Sequence, residues 1–165
     1  MEENNKFDLK SVKVNRTLDG TILELLFLVM MIVVWALIIK FYVSAPDIVP
    51  VHFDGAGHAT SYDSKLAAIF PCIFTTIGAV VAMSGAYFPH RINMPFKITN
   101  IRQVQLAITM VRIMGIILLV LTFVIGWSML DSINHGGPSA VPILSVVGAM
   151  FVVIIIFTFL IYKAK

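Results

Sequence analysis

Four long apolar runs, Ile22 to Val43, Leu66 to Phe88, Leu106 to Leu130 and Val141 to Tyr162, leave this chain very few ways to fold. Each exceeds the ~20 residues that a helix needs to cross a hydrocarbon core ~30 Å thick. Only 13% of the residues are charged, against roughly 25% in a soluble domain, and the mean hydropathy is +0.94. The expected fold is an all-α integral membrane protein: a four-helix transmembrane bundle with a short structured extracytoplasmic loop. The spans are expected at about 22–43, 66–88, 106–130 and 141–162, between a tail over 1–21 and a short end over 163–165. "VSA" at Val43 to Ala45 resembles a signal cleavage site. The run before it is longer than the ~7 to 15 apolar residues of a signal, so it reads as a retained helix.

The basic residues set the expected orientation. Lys6, Lys10, Lys13 and Arg16, then Arg91, Lys97 and Arg102, then Lys163 and Lys165 share one side if the spans number four. By the excess of Lys and Arg in inner loops, that side is the cytoplasm and both termini lie there. The basic excess then faces anionic lipid rather than nucleic acid. The expected location is a membrane, with both termini on its cytoplasmic side. A single cysteine, Cys72, falls inside the second run and allows no intrachain disulfide.

Thr21 stands three residues before Glu24 at the start of the first run, the spacing of a capping box. Pro71 lies about one turn into the second, where a missing amide costs little. Gly78, Ala82 and Ala86 follow at four-residue spacing, a stripe that lets another helix approach closely, either within the bundle or in a homodimer. Arg112 is an intramembrane charge. About 27 Å of helix separates it from Leu130, so it either snorkels to the inner interface or forms a structural pair with Glu24. The sequon "NRT" at Asn15 to Thr17 has no use in a cytoplasmic tail.

The first outer loop is the least ordinary stretch: "PDIVPVHFDGAG", Pro46 to Gly57. Val49, Val51 and Phe53 alternate with Pro50, His52 and Asp54, the period of a short strand. Asp54-Gly55 supplies a turn and Gly57 a second tight position. Ser64 or Asp63 is placed to cap the second helix. The loop therefore reads as an ordered cap with Phe53 facing down. Outward-facing His52, His58 and His135, with Asp54 or Asp131, also form a candidate zinc set, although their spacing matches no tight metal pattern. A hydrolase would need a nucleophile, a base and an oxyanion site, and no such constellation is visible. A transporter reading lacks an acidic residue deep in a span.

Pro46, Asp47, Val49, Pro50, His52, Phe53, Gly57, Ser64 and Lys65 carry a resemblance. They are similar to the pattern P-D-x-[IV]-P-x-H-[FW], a glycine, then S-K, found in a family of small bacterial and archaeal membrane proteins of unknown function. That module also looks like the N-terminal part of immunity proteins against a secreted sporulation-delaying toxin, which double as signal transducers. The likeness extends more loosely through "FPHRINMPFKIT" and "AITMVR", and it departs from the family around His58 to Asp63. It implies a fold and a membrane location. The expected function is non-enzymatic: a sensor, immunity-like or accessory protein that recognises a peptide or protein through loop 44–65, with Asp47, His52, Phe53, Gly57 and Lys65 as binding residues and no cofactor. The alternative is a metal-dependent membrane enzyme or transport component using His52, His58 and His135 with zinc.

Overall fold

A computed structural model describes residues 7–15, 17–134 and 139–165. It is mostly helical, with α1 (Leu18–Ser44), β1 (Ile48–Phe53), β2 (Ala59–Ser64), α2 (Ile69–Gly85), α3 (Ile101–Gly126) and α4 (Val141–Lys163) in chain order. Among the described residues, α1, α4 and α3 with its continuation to Asn134 are long and apolar enough to cross a membrane. α2 is apolar but has 17 residues, about 26 Å at the α-helical rise. The second apolar run does not helicate throughout. Both of its ends close in tighter i to i+3 turns, with Ile69 N–H donating to the Leu66 carbonyl and Phe88 N–H to that of Gly85.

α3 is the central helix and packs against α1, α2 and α4. Its sequence allows this because Gly115 lets the α2 backbone come close: a Cβ there would lie 3.1 Å from the Ala79 carbonyl oxygen and 3.3 Å from the Met83 nitrogen. Polar side chains tie the helices at mid-depth. Thr122 Oγ1 donates to Thr75 Oγ1 at 2.9 Å, and Trp35 Nε1 donates to Thr76 Oγ1 at 3.2 Å. The stripe Gly78, Ala82 and Ala86 is only partly the packing face. Ala79, Met83 and Ala86 are buried, whereas Gly78 and Ala82 are half-buried.

The ends of the bundle differ. At one end the hairpin of β1 and β2 covers the core: Val49 is buried, and Val51 and Phe53 pack against the cluster that holds Ile38, Phe41, Cys72 and Leu130. At the other end Phe7, Leu9, Val12 and Val14 pack against Ala86, Ile98, Val104 and Ile161. The N-terminal segment, the loop between α2 and α3 and the end of α4 therefore share one end of the molecule. Two side chains at the start of α3 close the last turn of α4 there. Asn100 Nδ2 donates to the Ala164 carbonyl at 2.8 Å and Gln103 Nε2 to the Ile161 carbonyl at 2.9 Å, which satisfies acceptors that a helix end leaves open.

Two expected caps are corrected. α1 begins a turn before Thr21, because Thr17 is extended and its Oγ1 accepts the Gly20 N–H at 3.1 Å. Neither Asp63 nor Ser64 caps α2. Both belong to β2, and the α2 N-cap position is Ala68, which makes no side-chain bond.

Candidate functional site

The hairpin follows α1 after an abrupt stop. Ala45 N–H bonds back to the Phe41 carbonyl at 2.8 Å, and Pro46, which cannot continue a helix, leads the chain away. β1 and β2 then pair antiparallel, Ile48 with Ser64, Val49 with Asp63, Pro50 with Tyr62, His52 with Ser61 and Phe53 with Ala59. The register skips Val51 on one strand and Thr60 on the other. Pro50 tolerates its place because it has no N–H to contribute and adjoins the irregularity. The expected all-α chain thus carries a small sheet, and its second strand, "ATSYDS", is nearly all exposed.

The turn is built by Asp54. Its Oδ1 accepts the Ala56 N–H at 2.9 Å and the His58 N–H at 2.8 Å, while its Oδ2 lies 3.3 Å from His58 Nδ1. The backbone bond from His58, with those from the His58 ring and the Ala56 amide, holds the Asp54 carboxyl below its ordinary value. Gly57 has φ +89, a conformation that favours glycine. It is also buried: its carbonyl accepts the Ala140 N–H at 3.4 Å, and a Cβ would lie 3.2 Å from Ser139 Oγ. The turn is therefore docked on the start of α4.

The base of the hairpin is closed by Asp47 and Lys65. Lys65 N–H donates to the Asp47 carbonyl at 2.9 Å, and its ammonium lies 3.2 Å from Asp47 Oδ1, 3.4 Å from the Ala45 carbonyl oxygen and 5.3 Å from the centre of the Tyr42 ring. Residues 29–75 match the family described as Domain of unknown function (DUF1648). The DUF1648 match takes in most of α1, the whole hairpin and the first turns of α2, so the ties within the hairpin lie inside it, whereas the α3 residues beneath the hairpin and the start of α4 lie outside. No curated protein and no solved structure matches the chain.

The five residues expected to bind thus occupy different positions. Asp47, Lys65 and Gly57 make the internal ties of the cap, and Phe53 is half-buried on the core. His52 is exposed on β1, with Nδ1 at 3.1 Å from Ser61 Oγ. Sequence reasoning missed β2: Ser61 is exposed beside His52, and Tyr62 is 59% exposed. A large aromatic in a polar run was the available signal. His135 lies outside the described residues, and among the described ones no three metal-binding side chains converge. His52 and His58 instead face Ser61 and Asp54.

At the opposite end Arg112 is 6% exposed and its Nη2 donates to Glu24 Oε1 at 2.7 Å. The pair joins α3 to α1, and the Tyr87 ring lies 5.8 Å from the guanidinium carbon.

Proposed function

We propose that this is a non-enzymatic, four-span protein of a bacterial cytoplasmic membrane, with both termini in the cytoplasm and the hairpin outside. In this reading the hairpin recognises a peptide or protein ligand, and the protein acts as a sensor, an immunity-like factor or an accessory subunit. The tight turns that extend α2 at both ends support a fourth span, since they add apolar length beyond its helical core. The basic residues at the N-terminal end of the bundle support the orientation.

The observation that carries the recognition reading is the division of labour in the cap. Asp47, Lys65, Asp54 and Gly57 are spent on holding the hairpin together, while His52, Ser61 and Tyr62 are left exposed on it over a bundle with few charges. Rigid loops with exposed polar and aromatic groups are where recognition concentrates. Asp47, Gly57 and Lys65 therefore act by positioning, Phe53 by seating the strand, and His52 by contact.

The test is photocrosslinking in living cells with the reactive group at Tyr62 and a control at Ile155, 66% exposed on the side of α4. A discrete adduct from Tyr62 alone, weakened by His52→Ala, is expected. Identical adduct patterns from the two positions would sink the reading.

A further inference from the structure

A cleft of about 350 Å³ lies at the end of the bundle opposite the hairpin, between the N-terminal segment, the first turns of α1 and the first three turns of α3. Its size falls within the ~300–1,000 Å³ of small-ligand pockets. Val12, Val14, Leu23 and Ile108 supply apolar wall, and Thr17, Gln105 and Thr109 supply polar wall.

Four observations agree on the charge of an occupant. The cleft is bordered by the N-termini of two long helices, α1 at Thr17 to Gly20 and α3 at Ile101, whose aligned peptide dipoles favour negative charge. Arg112 forms part of its wall with hydrogen-bonding capacity left over. Nη2 is given to Glu24, Nη1 lies beside Gly20, where a Cβ would be 2.6 Å from it, and the buried Nε–H has no partner among the described residues. Lys13 lines the cleft as well. Around it, Lys10, Arg91, Lys97, Arg102, Lys163 and Lys165 outnumber Asp8, Asp19 and Glu24 among the described residues, so the field at this end is positive. Asp19 also lines the cleft and, like Lys13, is exposed, so the two offset one another in the lining and the positive bias comes from the helix N-termini, Arg112 and the surrounding basic residues.

We propose that this cleft is a binding site for the phosphate headgroup of an anionic phospholipid, with Arg112 and Lys13 as its cationic contacts. The apolar wall beside the polar one suits the glycerol and upper acyl part of such a molecule, and its place at the helix ends is the depth at which headgroups lie. The inference is independent of the role of the hairpin.

The full chain is reconstituted in nanodiscs of equal phosphatidylglycerol and phosphatidylcholine, released, and examined by native mass spectrometry for retained lipid. Phosphatidylglycerol is expected to be retained about ten-fold over phosphatidylcholine. Thr109→Trp, which fills the cleft and leaves the Arg112 to Glu24 pair intact, should bring the ratio to parity. Glu24→Gln, which leaves the guanidinium charge uncompensated, should raise it. Equal retention in the unmodified chain overturns the proposal, as does a preference that survives Thr109→Trp. A parallel arm adds glycerol phosphate to protein in detergent. Thermal stabilisation equal to that given by phosphatidylglycerol would assign the cleft to a soluble phosphate and overturn the lipid assignment. Circular dichroism of both variants confirms that the helices are intact.

Discussion

Lys65 closes onto Asp47 twice, through its backbone N–H to the carbonyl and through its ammonium to the carboxylate. The two side chains contribute unequally. The Asp47 side chain is 93% exposed, so its share is screened by water, whereas that of Lys65 is 24% exposed and packs over Tyr42. A double-mutant cycle with Asp47→Ala and Lys65→Ala should give a coupling below about 1 kcal/mol. Lys65→Ala alone should cost more than Asp47→Ala, because it also loses packing of the aliphatic stem. Thermal unfolding in detergent micelles measures both, and a larger loss from Asp47→Ala would contradict this account.

The pair between Arg112 and Glu24 should behave differently because Arg112 is buried, although 23% of the Glu24 side chain is exposed. Removing Glu24 alone leaves an uncompensated guanidinium and is expected to destabilise by about 1–3 kcal/mol. Replacing both residues with leucine should recover most of that loss. Unfolding by a denaturing detergent compares the three variants, and additive losses would show that the two residues do not act as a pair.

Two glycines test the packing of α2 on α3. Gly115→Ala places a methyl group against the backbone of Ala79 and Met83, neither of which can rotate away, and should cost about 1–3 kcal/mol. Gly78→Ala meets only Leu118 Cδ1 at 3.9 Å and should change stability by less than about 0.5 kcal/mol. If Gly78 instead belongs to a dimer face, Gly78→Leu will shift the mass measured in detergent by light scattering.

Acid should open the hairpin turn through Asp54. Its carboxyl is held below the ordinary value of 3.8, so the turn is favoured at neutral pH, and that contribution disappears as pH falls through the lowered value in the folded state. Amide signals of Ala56 and His58, followed by NMR from pH 6 to about pH 2, should move together with the Asp54 carboxyl. Titration of Asp54 above 3.8 would contradict the hydrogen bonds seen here.

Three apolar helices long enough to cross a membrane were readable from sequence because length and composition alone decide whether a segment suits a bilayer. Thr21 and Glu24 satisfied a capping pattern that the fold does not use, since Thr17 reaches a free amide one turn earlier and Glu24 is taken by Arg112. The distant partner was legible all the same, because Arg112 and Glu24 are opposite charges at a similar depth in two apolar runs, and the fold uses that pairing in place of the capping box. The turn at Asp54 and Gly55 and the inward Val49 were legible for the same reason that β2 was not. The former are local, whereas "ATSYDS" lacks apolar alternation and is a strand only because β1 offers it an edge. The small-residue stripe was read one position away from much of the true contact, because Ala79 and Met83 are chosen by the place of Gly115 on another helix. Asn100 and Gln103 gave no signal at all as caps of α4.

α4 is buried only at Ile161 along its length, yet both of its ends are fastened, Ala140 to Gly57 at one and Ile161 and Ala164 to Gln103 and Asn100 at the other. Its 23 residues span about 35 Å, more than a ~30 Å hydrocarbon core, so it fits a bilayer by tilting. A beam pinned at both ends cannot tilt without loading its pins. In a bilayer α4 would therefore keep its angle to its neighbours and tilt together with α3 and the hairpin rather than alone.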